Sequence, residues 1–357
     1  MTLCVSAKVK TTTMSQKNGT NEIAVLVLSL SITLGLVGGM FWLLAHNSNV
    51  INSKNSPDQS AQSNGDSFAQ VSNVPSGLFT YGGSTTWAPI RREVDSEIQK
   101  AWPSFRLRYT DPITDPPGSG SGIKMLLNDQ LVFSQSSRSI KDEEYQKAQQ
   151  RGFTLKQIPV AIDGIAIAVN LNLEIPGLTL AQLKDIYTGK VNNWQQVGGP
   201  SLPIIPYSRR LEDGGTIEFF HEYILEKENF GVNVQFIPTT TEALREVRKN
   251  RGSIYYASAP EIVGQCTIKP LPLGRQSDQF VPPYKEPFIP PTNCPQQRNQ
   301  VNAAAFQQGN YPITRQLFVI VKQNGQIAQQ AGEAYANLLL TPVGQELITK
   351  AGFVKIR

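Results

Sequence analysis

The stretch Pro116 to Leu127, PPGSGSGIKMLL, places a small-residue loop directly before an apolar run with helical spacing. Glycines let the backbone bend and approach a ligand closely, and Ile123, Leu126 and Leu127 at i, i+3 and i+4 give the following helix a buried face. The first turn of such a helix carries free N–H groups and the positive end of the helix dipole. Ser119 and Ser121 add hydroxyls where an anion is already favoured. The plainer alternative is a flexible Gly/Ser loop. Three more turns share this chemistry: Ser84-Thr85-Thr86, Ser136-Ser137-Arg138, and Ser208 to Thr216, which carries Arg209 and Arg210 and ends in Gly214-Gly215-Thr216. Any one alone reads as an ordinary helix cap. Four of them at equivalent places read as a convergent anion cradle.

The elements that position these turns alternate between strand and helix. Leu78 to Tyr81 is a strand that breaks at Gly82-Gly83, and Pro89 opens a helix with Ile90, Val94, Ile98 and Ala101 in register. Phe105 to Tyr109 and Leu131 to Phe133 are further strands, the second running to the acidic helix start at Asp142 to Glu144. Ile158 to Val169 is almost wholly apolar and β-branched, as a buried strand should be, and Thr179 with Gln182 forms a capping box. Strands at Pro203 to Tyr207, Val234 to Ile237 and Ser253 to Ala257 then alternate with helices at Ile217 to Leu225 and Thr241 to Lys249. This pattern predicts an α/β fold with largely parallel sheets, its ligand beyond the carboxyl ends of the strands.

Before this folded part, Ile23 to Ala45 is an uncharged apolar run of about the 20 residues a bilayer needs. Lys8, Lys10 and Lys17 precede it against Glu22 alone, so the positive-inside rule puts residues 1–22 in the cytoplasm and exports the rest. We expect an uncleaved single-pass anchor over residues 23–45; a cleaved signal peptide is the alternative, and Met14 is a second possible start. Residues 46–77 are mostly polar and read as a disordered linker, leaving residues 78–357 as the folded domain. Removing Lys8, Lys10, Lys17 and Glu22 from the 33 basic and 28 acidic residues leaves 30 and 27, a balance that implies nothing beyond solubility. With no dense basic run interleaved with aromatics, nucleic acid is not expected as a partner.

Cys266 and Cys294 are both exported and are expected to pair, with two free buried thiols as the alternative. The exported part holds only His46 and His221, so neither a metal site nor a Ser/His hydrolase is expected. His221, beside Phe219 and Phe220, reads as a packing residue.

From about Leu78 to its end the chain resembles the phosphate-binding solute-binding proteins of ABC transporters, the PstS-like family. The likeness is carried by Gly83 to Thr86, Gly118 to Lys124, Ser136 to Arg138, Pro159 to Ile165 (PVAIDGI), Leu183 to Trp194 (LKDIYTGKVNNW), Tyr311 to Arg315 (YPITR), Leu340 to Gln345 and Ala351 to Phe353. The resemblance implies a two-lobed, type II periplasmic-binding-protein-like fold, two mixed sheets joined by two crossover strands. Lobe 1 is expected over about residues 78–161 and 260–357, and lobe 2 over about 162–259. It also implies a non-enzymatic protein without cofactor, likened to monomers, that passes inorganic phosphate to an ABC permease from the periplasmic side of the cytoplasmic membrane. An oxyanion-sensing module, or a protein for another tetrahedral oxyanion, is the alternative.

Carried over residue by residue, the resemblance makes Ser84, Thr85, Thr86, Ser119, Ser121, Ser137, Arg138, Arg210, Gly215 and Thr216 the phosphate contacts. Two departures stand out. The family's serine is Gly214 here, and its proton-accepting aspartate is absent at Ser137 or Arg138, leaving Asp213 and Glu212 as candidate acceptors.

Overall fold

A computed structural model describes residues 67–356. The expected cytoplasmic segment and membrane span lie outside them; among the described residues no helix is long and apolar enough to cross a membrane. The folded part starts earlier than the polar composition suggests. Phe68, the large apolar residue of that tract, is buried in the first core, and its carbonyl accepts the Trp102 Nε1–H at 2.9 Å.

In chain order, β1 (Gly77–Gly83), α1 (Ala88–Ala101), β2 (Phe105–Tyr109), α2 (Ser119–Leu127), β3 (Phe133–Ser136) and α3 (Asp142–Gln150) build the first half. The long strand β4 (Thr154–Val169) leads into β5 (Leu178–Thr179), α4 (Leu180–Tyr187), β6 (Ile205–Ser208), α5 (Gly215–Tyr223), β7 (Gln235–Phe236), α6 (Thr240–Lys249) and β8 (Ser253–Ser258). The second half continues through α7 (Ala259–Ile262), β9 (Lys269–Leu271), β10 (Leu273–Gly274) and α8 (Ala303–Gln307). β11 (Thr314–Gln323), α9 (Ile327–Leu339) and α10 (Pro342–Lys350) return to the first half.

The helix signals act as their residue types dictate. Ile90, Val94 and Ile98 form the buried stripe of α1, while Thr179 Oγ1 accepts the Gln182 N–H at 3.1 Å and Gln182 Oε1 accepts that of Thr179 at 2.9 Å.

β2, β1 and β3 are parallel, β11 runs antiparallel to both β3 and β4, and the far end of β4 pairs antiparallel with β8 and β9. Beyond β8, β6 and β7 are again parallel. The centre is therefore antiparallel between parallel flanks, the mixed arrangement that the resemblance implied and not the largely parallel one that the strand–helix alternation suggested, because the chain leaves the first half on β4 and comes back beside it on β11.

Each half has its own core. One is built around Trp87, Phe133 and Tyr335, the other around Trp194, Phe220 and Tyr256. Ala259, Ile268, Leu271, Phe306 and Ile313 pack in the second core. The return to the first half therefore falls on β11, not near residue 260. The reason is local: β9 extends the β4 edge, and Tyr311 anchors the returning chain by donating to the Ile165 carbonyl at 2.9 Å. Within this segment Cys266 and Cys294 form a disulfide, their Cα atoms 5.8 Å apart.

Candidate functional site

The strand ends of both halves meet at the two crossover strands. Ser84 follows β1, Ser119 opens α2 and Ser137 follows β3, and all three are buried. Ser84 Oγ donates to Ser137 Oγ at 3.0 Å, the Ser119 and Ser137 oxygens are 3.2 Å apart, and the Ser137 N–H reaches Ser119 Oγ at 3.0 Å. From the second half, the first turn of α5 faces this cluster. A Cβ on Gly215 would lie 2.5 Å from Ser119 Oγ and 2.7 Å from Ser137 Oγ, so only glycine lets the helix end come this close. Gly214, with φ of +141°, makes the turn that aims it. Thr86 and Thr216, one from each half, stand 3.3 Å apart through their hydroxyl oxygens.

A buried arginine ties these pieces together. Arg315 lies on β11 directly opposite Asp163 on β4, and its Nε and Nη2 donate to Asp163 Oδ2 at 3.0 and 2.8 Å. The same Nη2 reaches Thr216 Oγ1 at 2.8 Å and Thr86 Oγ1 at 3.2 Å, and Nη1 donates to the Gly215 carbonyl at 3.2 Å. One guanidinium thus touches the crossover, both cleft walls and the α5 terminus. Burial pushes the Asp163 carboxyl up, against the pull of Arg315 and of Ser258, whose Oγ donates to Oδ1 at 2.6 Å.

Beside Thr86 and Thr216 opens a cavity of about 250 Å³, lined also by Thr85, Arg209, Tyr255 and Glu261. The Arg209 Nη2 donates to the Asp213 carbonyl at 2.8 Å, while its Nε is buried with no partner among the described residues. Burial, and then the charge of Asp163, push the Glu261 carboxyl up.

The structure therefore brings Ser84, Thr85, Thr86, Ser119, Ser137, Gly215 and Thr216 together and places three other expected contacts elsewhere. Ser121 donates to the Pro116 and Gly118 carbonyls at 2.8 and 3.1 Å, fastening its own loop. Arg138 is clamped by Glu144 at 3.0 and 2.8 Å and by Glu218 at 2.8 Å, which absorbs its donors. Burial lowers its pKa, but the two carboxylates outweigh that and push it up. Arg210 is exposed and borders a different hollow with Asp213, Phe236 and Pro238, because the chain reverses after Ser208 and only the first of the paired arginines turns inward. Of the candidate acceptors, Asp213 takes the Arg210 N–H at 3.0 Å and Glu212 is exposed.

Arg315, Asp163, Arg209 and Glu261 were not anticipated as site residues. For the crossover pair a signal existed: Asp163 interrupts the apolar run Ile158 to Val169, and Arg315 stands at the head of the apolar run Leu317 to Val321. A charge inside a buried strand demands a partner.

Residues 56–343 match the model of the PBP superfamily domain. The phosphate-binding protein PstS of Staphylococcus epidermidis is 26% identical over 276 residues, covering 76% of this chain and 77% of that protein. Protein SphX of Synechococcus elongatus is 26% identical over 296 residues, 80% of each chain. Among solved structures, an ABC-type phosphate transport receptor of Vibrio cholerae superposes with a TM-score of 0.59 at 21% identity, over 77% of this chain and 99% of that one. A substrate-binding protein of Clostridium perfringens solved with bound phosphate gives 0.62 at 23% identity, over 79% and 100%. At these identities the structural likeness speaks for the fold.

Proposed function

The chain belongs to the PBP superfamily, and from that premise we propose that it is an extracytoplasmic phosphate-binding protein, tethered to the cytoplasmic membrane, that delivers inorganic phosphate to an ABC permease. The observation that carries this reading is Arg315, whose single fork reaches Thr86 on one wall and Thr216 on the other from the strand pair about which the walls turn. A tetrahedral anion seated there accepts from Arg315, from the hydroxyls of Ser84, Thr85, Thr86, Ser119, Ser137 and Thr216, and from the free N–H groups at the starts of α2 and α5. Arg209 supplies a second positive charge from the cavity wall. The named relatives support phosphate as the anion.

Closure is the mechanism. The two walls already exchange hydroxyl hydrogen bonds and meet at Gly215, so an anion enters when they part and is enclosed when they return, its oxygens replacing hydroxyl-to-hydroxyl contacts. Residues 67–161 and 317–356 form the first lobe in this scheme and residues 165–313 the second. Because one chain supplies both walls, a monomer suffices. No covalent step is involved.

Isothermal titration of the full-length protein with a panel of oxyanions tests the reading. One phosphate per chain, bound at least roughly tenfold more tightly than sulfate, is expected. Absence of phosphate binding, or equal or tighter sulfate binding, overturns it. The tether rests on residues 23–45: mass spectrometry of the native protein is expected to recover peptides from that region, and a uniform N-terminus near His46 refutes it.

A further inference from the structure

Ser84 is the first hydroxyl of the cradle, and its hydrogen bond to Ser137 depends on where the turn after β1 lies. Three contacts fix the backbone of that turn. The Ser84 N–H donates to the Gln135 carbonyl at 2.8 Å, and the Ser84 carbonyl accepts from the Trp87 N–H at 3.2 Å and from Nη1 of Arg91, on α1, at 3.3 Å. The first two are made by backbone alone, whereas the third requires the arginine.

Arg91 is itself held in place. The same Nη1 donates to Gln135 Oε1 at 3.0 Å, and the guanidinium lies 3.8 Å from the centre of the Tyr109 ring. Gln135 is fully buried on β3; its Nε2 donates to the Tyr335 hydroxyl at 2.9 Å, and that hydroxyl donates to Asp95 Oδ1 at 3.1 Å. The Tyr81 hydroxyl donates to the other carboxylate oxygen. A guanidinium only donates and an ionised carboxylate only accepts, so the amide between them has one orientation and turns its oxygen to Arg91. A buried polar chain thus runs from Asp95, deep in the first lobe, to the backbone of a cradle residue.

We propose that Arg91 is a positioning residue of the anion site: through the Ser84 carbonyl it holds the turn after β1 so that the Ser84 hydroxyl meets the bound oxyanion, and the chain through Gln135 and Tyr335 to Asp95 holds Arg91. The proposal rests on the phosphate reading above and names what shapes the first wall. In this role Arg91 acts through Ser84 and need not touch the anion. Its contribution to binding therefore vanishes once the Ser84 hydroxyl is removed.

The test titrates the full-length parent, Arg91→Met, Ser84→Ala and the double variant with inorganic phosphate. Each single variant is expected to weaken binding by roughly three- to tenfold, the range of one net hydrogen bond, and the double variant no further than Ser84→Ala alone. A residue serving only the stability of α1 lowers the melting temperature and leaves binding unmoved, or weakens it equally with and without the Ser84 hydroxyl; either result overturns the proposal. Arg92→Met removes the same charge from a side chain 74% exposed on the same helix, and affinity is expected to stay within about twofold. An equal loss there assigns the effect to net charge and overturns the proposal as well. Hydrogen exchange of the phosphate-free proteins gives a readout without ligand: in Arg91→Met the Ser84 and Trp87 amides are expected to exchange several-fold faster while those of β2 keep their rates. Unchanged exchange at the turn overturns the proposal, also where Ser84→Ala binds too weakly to titrate. Should Arg91→Met fail to fold, Arg91→Gln, too short to reach both acceptors, takes its place in both measurements. If the parent binds no phosphate, the functional reading fails, and the exchange result still decides whether Arg91 holds the turn.

Discussion

Two arginines, each only 5% exposed, sit at the same cleft and do opposite things with their charge. Arg138 gives its donors to two carboxylates, Glu144 within its own half and Glu218 on α5 of the other, with Lys141 adding a contact to Glu218 at 3.3 Å. Arg315 has one carboxylate, Asp163, and directs its remaining reach to neutral partners: two threonine hydroxyls and a carbonyl. A neutral hydroxyl is readily exchanged for an anion oxygen, whereas a carboxylate held at 2.8 Å competes with any anion that approaches. Arg315 gives one edge of its guanidinium to a single carboxylate and turns the rest, Nη1 and the outer side of Nη2, to groups an anion can displace, which is what sets it apart from Arg138 in the proposed site. Arg138 with Glu218 is instead a clasp between the halves.

The comparison breaks most readily at Arg315. Arg315→Met is expected to lower phosphate affinity by more than about a hundredfold, since charge-assisted hydrogen bonds contribute roughly 1.5 to 3 kcal/mol each. The same change leaves Asp163 buried without its cation, at a cost of about 3 to 5 kcal/mol in thermal or denaturant melts. The sign of the pH dependence follows from burial. An acid whose folded pKa lies above its unfolded value opposes folding once ionised, so this penalty is least at acid pH and grows as pH rises through the unfolded carboxylate range near about 4. Adding Asp163→Asn is expected to restore much of the stability and none of the affinity. Near-parental phosphate affinity in Arg315→Met ends the distinction drawn between the two arginines.

Arg138→Met is expected to show the reverse balance. Glu144, buried and stripped of its partner, costs about 3 kcal/mol of stability, while phosphate affinity falls less than about tenfold. A binding loss as large as that of Arg315→Met would make Arg138 a ligand contact after all. Glu218→Gln isolates the clasp. It keeps the shape and removes the cross-cleft charge of a partly exposed pair, so a loss of about threefold, carried by faster phosphate release in stopped-flow traces, is expected. Unchanged release kinetics leave the clasp without a role in closure.

Much of this was legible in the residues. Hydroxyl-rich turns after strands point to the proposed cradle, because Ser84, Ser119, Ser137 and Thr216 each follow a recognisable strand or glycine turn. The capping box at Thr179 and the apolar stripe of α1 depend only on neighbours within a turn or two. What escaped depends on pairing across the sheet. Only the register of β4 against β11 sets Asp163 opposite Arg315, and only the path of the chain after β8 packs Ala259, Ile268, Phe306 and Ile313 in the second core. Phe68 was hidden in a polar tract for the same reason: one apolar residue finds a core that lies far along the chain.

The smallest effect is expected at Arg210, and its neighbour makes it informative. Arg209 and Arg210 are adjacent and chemically identical, so composition and motif cannot tell them apart. The backbone does, because β6 ends at Ser208, whose buried hydroxyl donates to the Arg209 carbonyl at 2.8 Å and lies 2.7 Å from the Tyr256 hydroxyl. The next side chain points into the cavity with Thr86 and Thr216, and the one after that turns out beside Phe236. Arg210→Ala is therefore expected to leave phosphate affinity within about twofold, the range of an exposed charge screened by solvent. Arg209→Ala removes a charge whose Nε is buried without a partner among the described residues, and an affinity loss of roughly tenfold or more is expected. Titrating both variants side by side reads the contrast directly, and a larger loss in Arg210→Ala than in Arg209→Ala would reverse the assignment of the cleft arginine.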